Sequence, residues 1–314
     1  MTHQQAIGLG DVIDLTSDSS SSSNNNNTKA SSDRRSRRKG AGGLQALGAL
    51  FHRPSHSTLR IAQLEYAHGI GSSSVVLCSG ETQLFCSTPA DRRWACGYRN
   101  CQMLISALIS RQTHSVDTGS GNLLLCGHVP DVDALQQMLE LAWREGYDPE
   151  GAVQLRHRVV GTRKWIGATE VYCIMAHLGA ATRIVDFPRP SARDGSHPLL
   201  FAWVLDYYTA PATTPPAGSD TGVCLTSRAP LYLQHQGHSR TIVGVEITET
   251  ATFLLVLDPN ARPNRDANNR FSISAFRLSL SSTRHATQYQ ILYVDETHPA
   301  TTPISKQVTS VRVS

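Results

Sequence analysis

The apolar positions Cys101, Leu104, Ile105, Leu108 and Ile109 recur at i, i+3, i+4, i+7 and i+8, the spacing of one helix face. A helix is predicted there, with Cys96 at or just before its first turn. The same spacing over 131–145 puts Leu135, Met138, Leu139 and Ala142 on one face, with Asp131 or Asp133 as the N-terminal acid and Gly146 as the stop. A third helix is predicted over 168–178, where Val171, Ile174, Met175 and Leu178 fall in register and Gly179 closes the run. "TRIVDF" then reads as a strand and "HPLLFAWVLDYY" as a further helix. Past the loop "TAPATTPPAGSD" the character changes, and "PLYLQH", "RTIVGVEI", "ATFLLVLD" and "QYQILYV" read as strands. Helices first and a mainly antiparallel sheet after them predict an α+β domain.

The polar runs set its limits. From Ser17 to about Gly43 the chain is a low-complexity stretch with too little apolar surface to offset the entropy of ordering. Residues 1–58 are expected to be a disordered tail, 59–298 the folded domain and 299–314 a flexible C-terminal tail. In the first tail, Val12, Ile13 and Leu15 make a β-prone patch around Asp14, flanked by Asp11, Asp18 and a serine run. Such a segment can add to the edge of a partner's sheet, and phosphorylated serines would strengthen its attraction to basic side chains. It resembles a SUMO-interacting motif, and "DRRSRRK" at 33–39 resembles a nuclear-localisation cluster. Together they suggest SUMO or SUMO-modified proteins as partners, and the nucleus as well as the cytoplasm as location.

Composition narrows the classes. With 314 residues, 40% of them hydrophobic, the chain can bury a sizeable core. The formal charge is +4, but residues 1–55 carry seven Lys/Arg against four Asp/Glu, so the body is nearly neutral and direct nucleic-acid binding is not expected. No apolar run of about 18 residues occurs. The N-terminus also lacks the charged-then-apolar order of a secretory signal, so neither membrane association nor secretion is expected. The seven cysteines are odd in number and form no C-x-x-C pair, which favours reduced thiols over a disulfide framework or a zinc cage.

A cysteine at a helix start has its pKa lowered by the free N–H groups there, and its own amide can meet a developing oxyanion. Cys96 therefore qualifies as a nucleophile if a base and an orienting group reach it. His238 precedes the strand "RTIVGVEI" and Asp258 ends "ATFLLVLD". If these strands form a hairpin turning at Thr248–Thr250, facing residues have numbers totalling about 498, and His238 with Asp258 totals 496. Taken singly, each has an ordinary explanation: a packing thiol, a solvated histidine, a strand-ending Asp-Pro. Within reach of one another they predict a Cys96 nucleophile, a His238 base and an Asp258 orienter. A metal site from Cys96, Cys101, His235 and His238 is disfavoured, because H-x-x-H is short and cysteines five apart on a helix diverge. Neither metal nor cofactor is expected.

The blocks "WACGYRNCQMLISAL", "ALQQMLELAWREGYDPEGAVQL", "TRKWIGATEVY", "IVDF", "HPLLFAWVLDYY", "LYLQHQGHSRTIVGVE", "LLVLDPN" and "QYQIL" run in order from about Val75 to Val294. They resemble the ZUFSP-type peptidase domain, the zinc-finger ubiquitin-specific protease branch of the UFM-protease superfamily. The resemblance implies a papain-like cysteine peptidase, its helical half carrying the thiol against a sheet carrying the other two groups. It implies the triad Cys96, His238 and Asp258, acting as a deubiquitinating isopeptidase on ubiquitin or polyubiquitin conjugates. Gln234 is the nominee for an oxyanion side chain, Trp94 for a wall of the substrate channel, and Asp91 matches the family block without a readable role. Branches specific for ubiquitin-fold modifier one carry Asp-Pro-His, whereas the text here is Asp258-Pro259-Asn260, which favours ubiquitin. No Cys/His cluster precedes the domain, so a shorter relative without zinc fingers is expected, and linkage preference does not carry over. The alternatives are a protease for ubiquitin-fold modifier one, or a catalytically silent module that binds ubiquitin or SUMO.

Overall fold

Residues 74–79, 82–114, 128–210, 223–262, 273–299 and 301–314 are described by the computed structural model. The Val12–Leu15 motif, the basic cluster, Cys126 and the expected domain start at 59 lie outside them. The predicted helices are α1 (Cys96–His114), α2 (Val132–Arg144), α4 (Ala168–His177) and α5 (Pro198–Thr209). Between them, one short helix that apolar spacing did not reveal, α3 (Pro149–Gln154), starts on a proline, where the missing N–H costs nothing. Asp131 caps α2, its side chain accepting from Ala134 N. Gly179 ends α4 at φ +79°, a conformation that favours glycine.

The strands are β1 (Ser74–Leu77), β2 (Thr182–Phe187), β3 (Val223–Leu225), β4 (Leu231–His235), β5 (His238–Ile247), β6 (Thr252–Leu257), β7 (Arg277–Ser279), β8 (Tyr289–Val294) and β9 (Ser310–Arg312). They form a nine-stranded sheet in the order β3-β1-β5-β4-β8-β2-β9, with β6 paired to β5 and β7 to β6 off that path. Among the described residues only β1–β3 and β2–β9 pair in parallel, so the sheet is mainly antiparallel and the fold is α+β, as expected.

Strand β5 organises the sheet. One of its edges is shared, β4 taking residues 238–242 and β1 taking 244–247, while β6 runs along the other edge. The register against β6 shifts between Ile242 and Gly244. Gly244 is required there, because a Cβ would lie 2.3 Å from the Val76 carbonyl oxygen.

One expectation is extended and one corrected. Helix α1 does not pack by its predicted apolar face alone, since every residue from Ala95 to Leu108 is buried. It threads the core between the sheet and the other helices, and its polar side chains find partners: Gln102 donates to the Pro130 carbonyl (2.6 Å) and Ser106 to that of Met103 (2.7 Å). Nor is 299–314 a free tail. Its last strand, β9, pairs with β2, Tyr172 donates to the Ser305 carbonyl, and Lys306 Nζ donates to the Glu145 carbonyl at the end of α2. The three-residue strand is too short for its apolar alternation to stand out from a polar segment.

Candidate active site

Cys96 is the first residue of α1, where the first-turn amides have no acceptor within the helix. The approach to it is stapled from both sides. Asp91 Oδ1 accepts from Thr88 N (2.7 Å), closing the turn before the helix, and Asp91 Oδ2 pairs with the buried Arg99. Arg99 in turn donates to Gln102 (2.9 Å), so the match at Asp91 acquires a physical role in fixing the thiol's entry angle. Next to the thiol, Gly97 has no room for a side chain, since a Cβ would lie 2.5 Å from the Ile166 carbonyl oxygen.

Asn100, one turn on and fully buried, joins this helix to β5. Its Nδ2 donates to the Cys96 carbonyl (2.9 Å) and to Ser239 Oγ (3.0 Å), and its Oδ1 accepts from Thr241 Oγ1 (2.8 Å). The strand thus held places His238 and Ser239 beside the thiol.

His238 Nε2 donates to the Asp258 carboxylate, 2.9 Å from each oxygen, which leaves Nδ1 for the thiol. Asp258 is gripped further, with Asn260 N donating to Oδ1 (2.9 Å) and Arg240 Nε to Oδ2 (2.8 Å). Behind Arg240, its NH1 lies 3.3 Å from His235 Nε2, while His235 Nδ1 bonds the Gln236 carbonyl (2.9 Å).

The electrostatics follow from these contacts. Burial resists ionisation of the Cys96 thiol, but the bonds from His238 and Ser239 and the imidazolium charge outweigh it, and its pKa falls below the ordinary value. Burial disfavours charged His238 too, yet the bonds to Asp258 and Cys96 and their charges raise it to about 9. Asp258 overcomes its own burial through His238, Asn260 and Arg240 and drops to about 2. His235 goes the other way, lowered to about 4 by burial and then by the Arg240 charge. Two histidines three residues apart are therefore set to opposite charge states. By contrast Cys101, with no partner against desolvation, is pushed well above its usual range.

The structure brings Cys96, His238 and Asp258 together. Gln234, the oxyanion nominee, has another role. Its Nε2 donates to the carbonyls of His235 (2.6 Å) and His238 (3.2 Å) and its Oε1 accepts from Tyr232, so both amide protons close the β4–β5 turn and no donor is left for an oxyanion. Trp94 is half-buried, edge-on to Tyr98 at 5.8 Å, with Nε1 donating to the Ala90 carbonyl. A second indole, overlooked in the sequence, is Trp165, 38% exposed and lying over Gly237, the residue before His238. Only the block "TRKWIGATE" hinted at it. Among the described residues no group of three or more His, Cys, Asp or Glu could hold a metal ion.

A model of peptidase family C78 matches residues 71–292, the region that holds all three side chains. The chain belongs to peptidase family C78. This C78 member is a cysteine-type peptidase. It is 42% identical over 219 residues to the zinc finger-containing ubiquitin peptidase 1 of Homo sapiens, which covers 67% of this chain and 36% of that protein. The Mus musculus protein of the same name is 41% identical over the same shares. The ubiquitin carboxyl-terminal hydrolase mug105 of Schizosaccharomyces pombe is 35% identical over 193 residues, 60% of this chain and 70% of that one. The C78 chain thus spans about a third of the length of its zinc-finger relatives. A crystal structure of UfSP from C. elegans superposes with a TM-score of 0.43 at 17% identity, over 76% of this chain and 37% of that one.

Proposed function

We propose that this C78 peptidase is a deubiquitinase that hydrolyses the isopeptide bond between the C-terminal glycine of ubiquitin and a lysine amine. The observation that carries the chemistry is the line from Cys96 through His238 to Asp258, with 2.9 Å between imidazole and carboxylate. The ubiquitin peptidase names of its relatives in mammals and yeast support the substrate class.

The Cys96 thiolate attacks the glycine carbonyl, and the negative charge that builds on oxygen meets the amides of the first turn of α1. The C–N bond breaks as His238 hands its proton to the leaving lysine amine, which leaves a thioester on Cys96. Neutral His238 then takes a proton from water as the water oxygen attacks the thioester carbonyl, the C–S bond breaks to release the glycine carboxyl end, and the expelled Cys96 thiolate with the now protonated His238 is the resting pair again. Asp258 holds the imidazole in one tautomer throughout. The narrow Gly-Gly end of ubiquitin needs walls over the nucleophile, and we assign that part to Trp94 and Trp165.

The test uses two C-terminal electrophile probes, one built on ubiquitin and one on ubiquitin-fold modifier one, with Cys96→Ala beside the wild type. A Cys96-dependent adduct with ubiquitin alone is the expected result. Labelling by the other probe alone overturns the substrate assignment, and no adduct with either overturns catalysis in the isolated chain. We further propose that Val12–Leu15 binds SUMO and that the protein works in the nucleus and cytoplasm, a reading supported by the sequence pattern alone. Deleting those four residues should abolish SUMO binding and leave probe labelling intact.

A further inference from the structure

Nothing in the thiol–imidazole–carboxylate chemistry requires an arginine, yet Arg240 is bonded to the carboxylate end of it. We propose that Arg240 is a positioning residue, a fork that holds the Asp258 carboxylate against His238 and is itself anchored by neutral His235. This inference rests on the triad assigned above and not on the identity of the substrate.

The geometry divides the carboxylate cleanly. Asn260 N grips Oδ1, Arg240 Nε grips Oδ2, and the imidazole Nε2 lies equidistant from both oxygens. A carboxylate held at one oxygen can rotate; held at both, it presents a fixed acceptor to the imidazole. The second arm of the fork, NH1, points to His235 Nε2. That nitrogen can accept only if His235 is neutral with its proton on Nδ1, and the Nδ1 contact with the Gln236 carbonyl secures that tautomer. The lowered pKa of His235 agrees with this arrangement. His235, at the end of β4, and Arg240, two residues after His238 on β5, thus form one support running from the hairpin to the end of β6.

The charged and titratable groups around the fork come from five places. His235, His238 and Arg240 belong to the hairpin, Asp258 and Arg262 to the segment after β6, Cys96 to α1, Cys86 to the segment before it, and Tyr289 to β8. Two effects of removing Arg240 can be told apart by sign. Loss of its positive charge alone makes both Cys96 and His238 harder to deprotonate, so both inflections in a pH profile rise. Loss of its grip lets Asp258 swing away from His238, which weakens the imidazolium and with it the thiolate it stabilises. The acid-side inflection then rises and the alkaline-side inflection falls.

The experiment is alkylation of the full chain by iodoacetate as a function of pH, with modification at Cys96 read by peptide mass spectrometry, for wild type, Arg240→Ala and Arg240→Lys. The expected result for Arg240→Ala is a window narrowed from both sides, each inflection moving by about one pH unit, a tenfold change in the population concerned. Arg240→Lys keeps the charge but not the fork, and should narrow the window in the same sense by less. Inflections that stay in place, or that both move up, overturn the proposal. If Arg240→Ala does not fold, the direction of the two inflections in Arg240→Lys decides the question alone. No ubiquitin is involved, so a failed ubiquitin probe reaction removes the substrate assignment and leaves this test standing.

Discussion

Asn100 has no exposed surface and uses both amide protons and its carbonyl, bridging the backbone of the nucleophile to two hydroxyls of β5. Because Ser239 Oγ accepts from Asn100, its own proton is free to be aimed at the thiol. Asn100→Leu, of similar size, should strand the Ser239 and Thr241 hydroxyls at a cost of about 1–3 kcal/mol each, read as a lower denaturation midpoint. It should also raise the pH at which Cys96 becomes reactive. His238 makes a prediction of opposite character. Its folded pKa of about 9 lies above the ordinary 6.5, so the stability it contributes is complete below about pH 6.5 and is lost as the pH rises through about 9. In thermal melts, the gap between wild type and His238→Ala should be widest at pH 6 and narrow toward pH 10; a gap that widens instead refutes the ion pair. At this scale the meeting of Cys96, His238 and Asp258 was legible and the groups that support it were not. Cysteine, histidine and aspartate announce chemistry by type, whereas Asn100 and Arg240 are common polar residues whose roles depend on what faces them across the fold.

Among the elements, the β5–β6 hairpin was read closely. Thr241 faces Leu257 and Ile242 faces Val256, the register expected from a turn at 248–250, before the bulge at Val243 shifts the rest by one. Helix α1 was placed by its apolar spacing, but its burial on every side from Cys96 to Leu108 was not recognised, because periodicity reports one packed face and is silent about a second. Its burial makes Gly97 decisive. Gly97→Ala would drive a methyl into the Ile166 carbonyl, and overpacking of that kind costs about 1–3 kcal/mol. The helix start would have to move, so labelling at Cys96 by a C-terminal probe should fall far more than the melting temperature does. Equal losses in both would mean that Gly97 serves packing alone.

For the molecule as a whole, the helix-then-strand order gave the fold class, while β1, β3, β7 and β9 went unseen because strands of three or four residues carry too little pattern. The last of these is the most exposed to test. Deleting residues 301–314 removes β9 from β2 and releases the bonds of Ser305 and Lys306 to Tyr172 and α2. His238 on β5, Asp258 just after β6 and Cys96 at the start of α1 lie away from that edge of the sheet, so the truncated protein should melt lower yet keep the Cys96 alkylation profile of the full chain at low temperature. A changed profile would show that the C-terminal strap reaches the site.

The Asn100–Thr241 bond joins positions 141 residues apart, and everything that sharpens the thiol arrives with it. A chain whose first helix has formed but whose hairpin has not yet docked carries an ordinary cysteine. The heightened reactivity of the thiol thus depends on contacts between distant parts of the chain, so the rate at which Cys96 reacts reports whether those contacts have closed. Brief alkylation pulses during refolding should leave Cys96 slow to react at neutral pH until the long-range contacts close, and then bring its reactivity on in a single late phase.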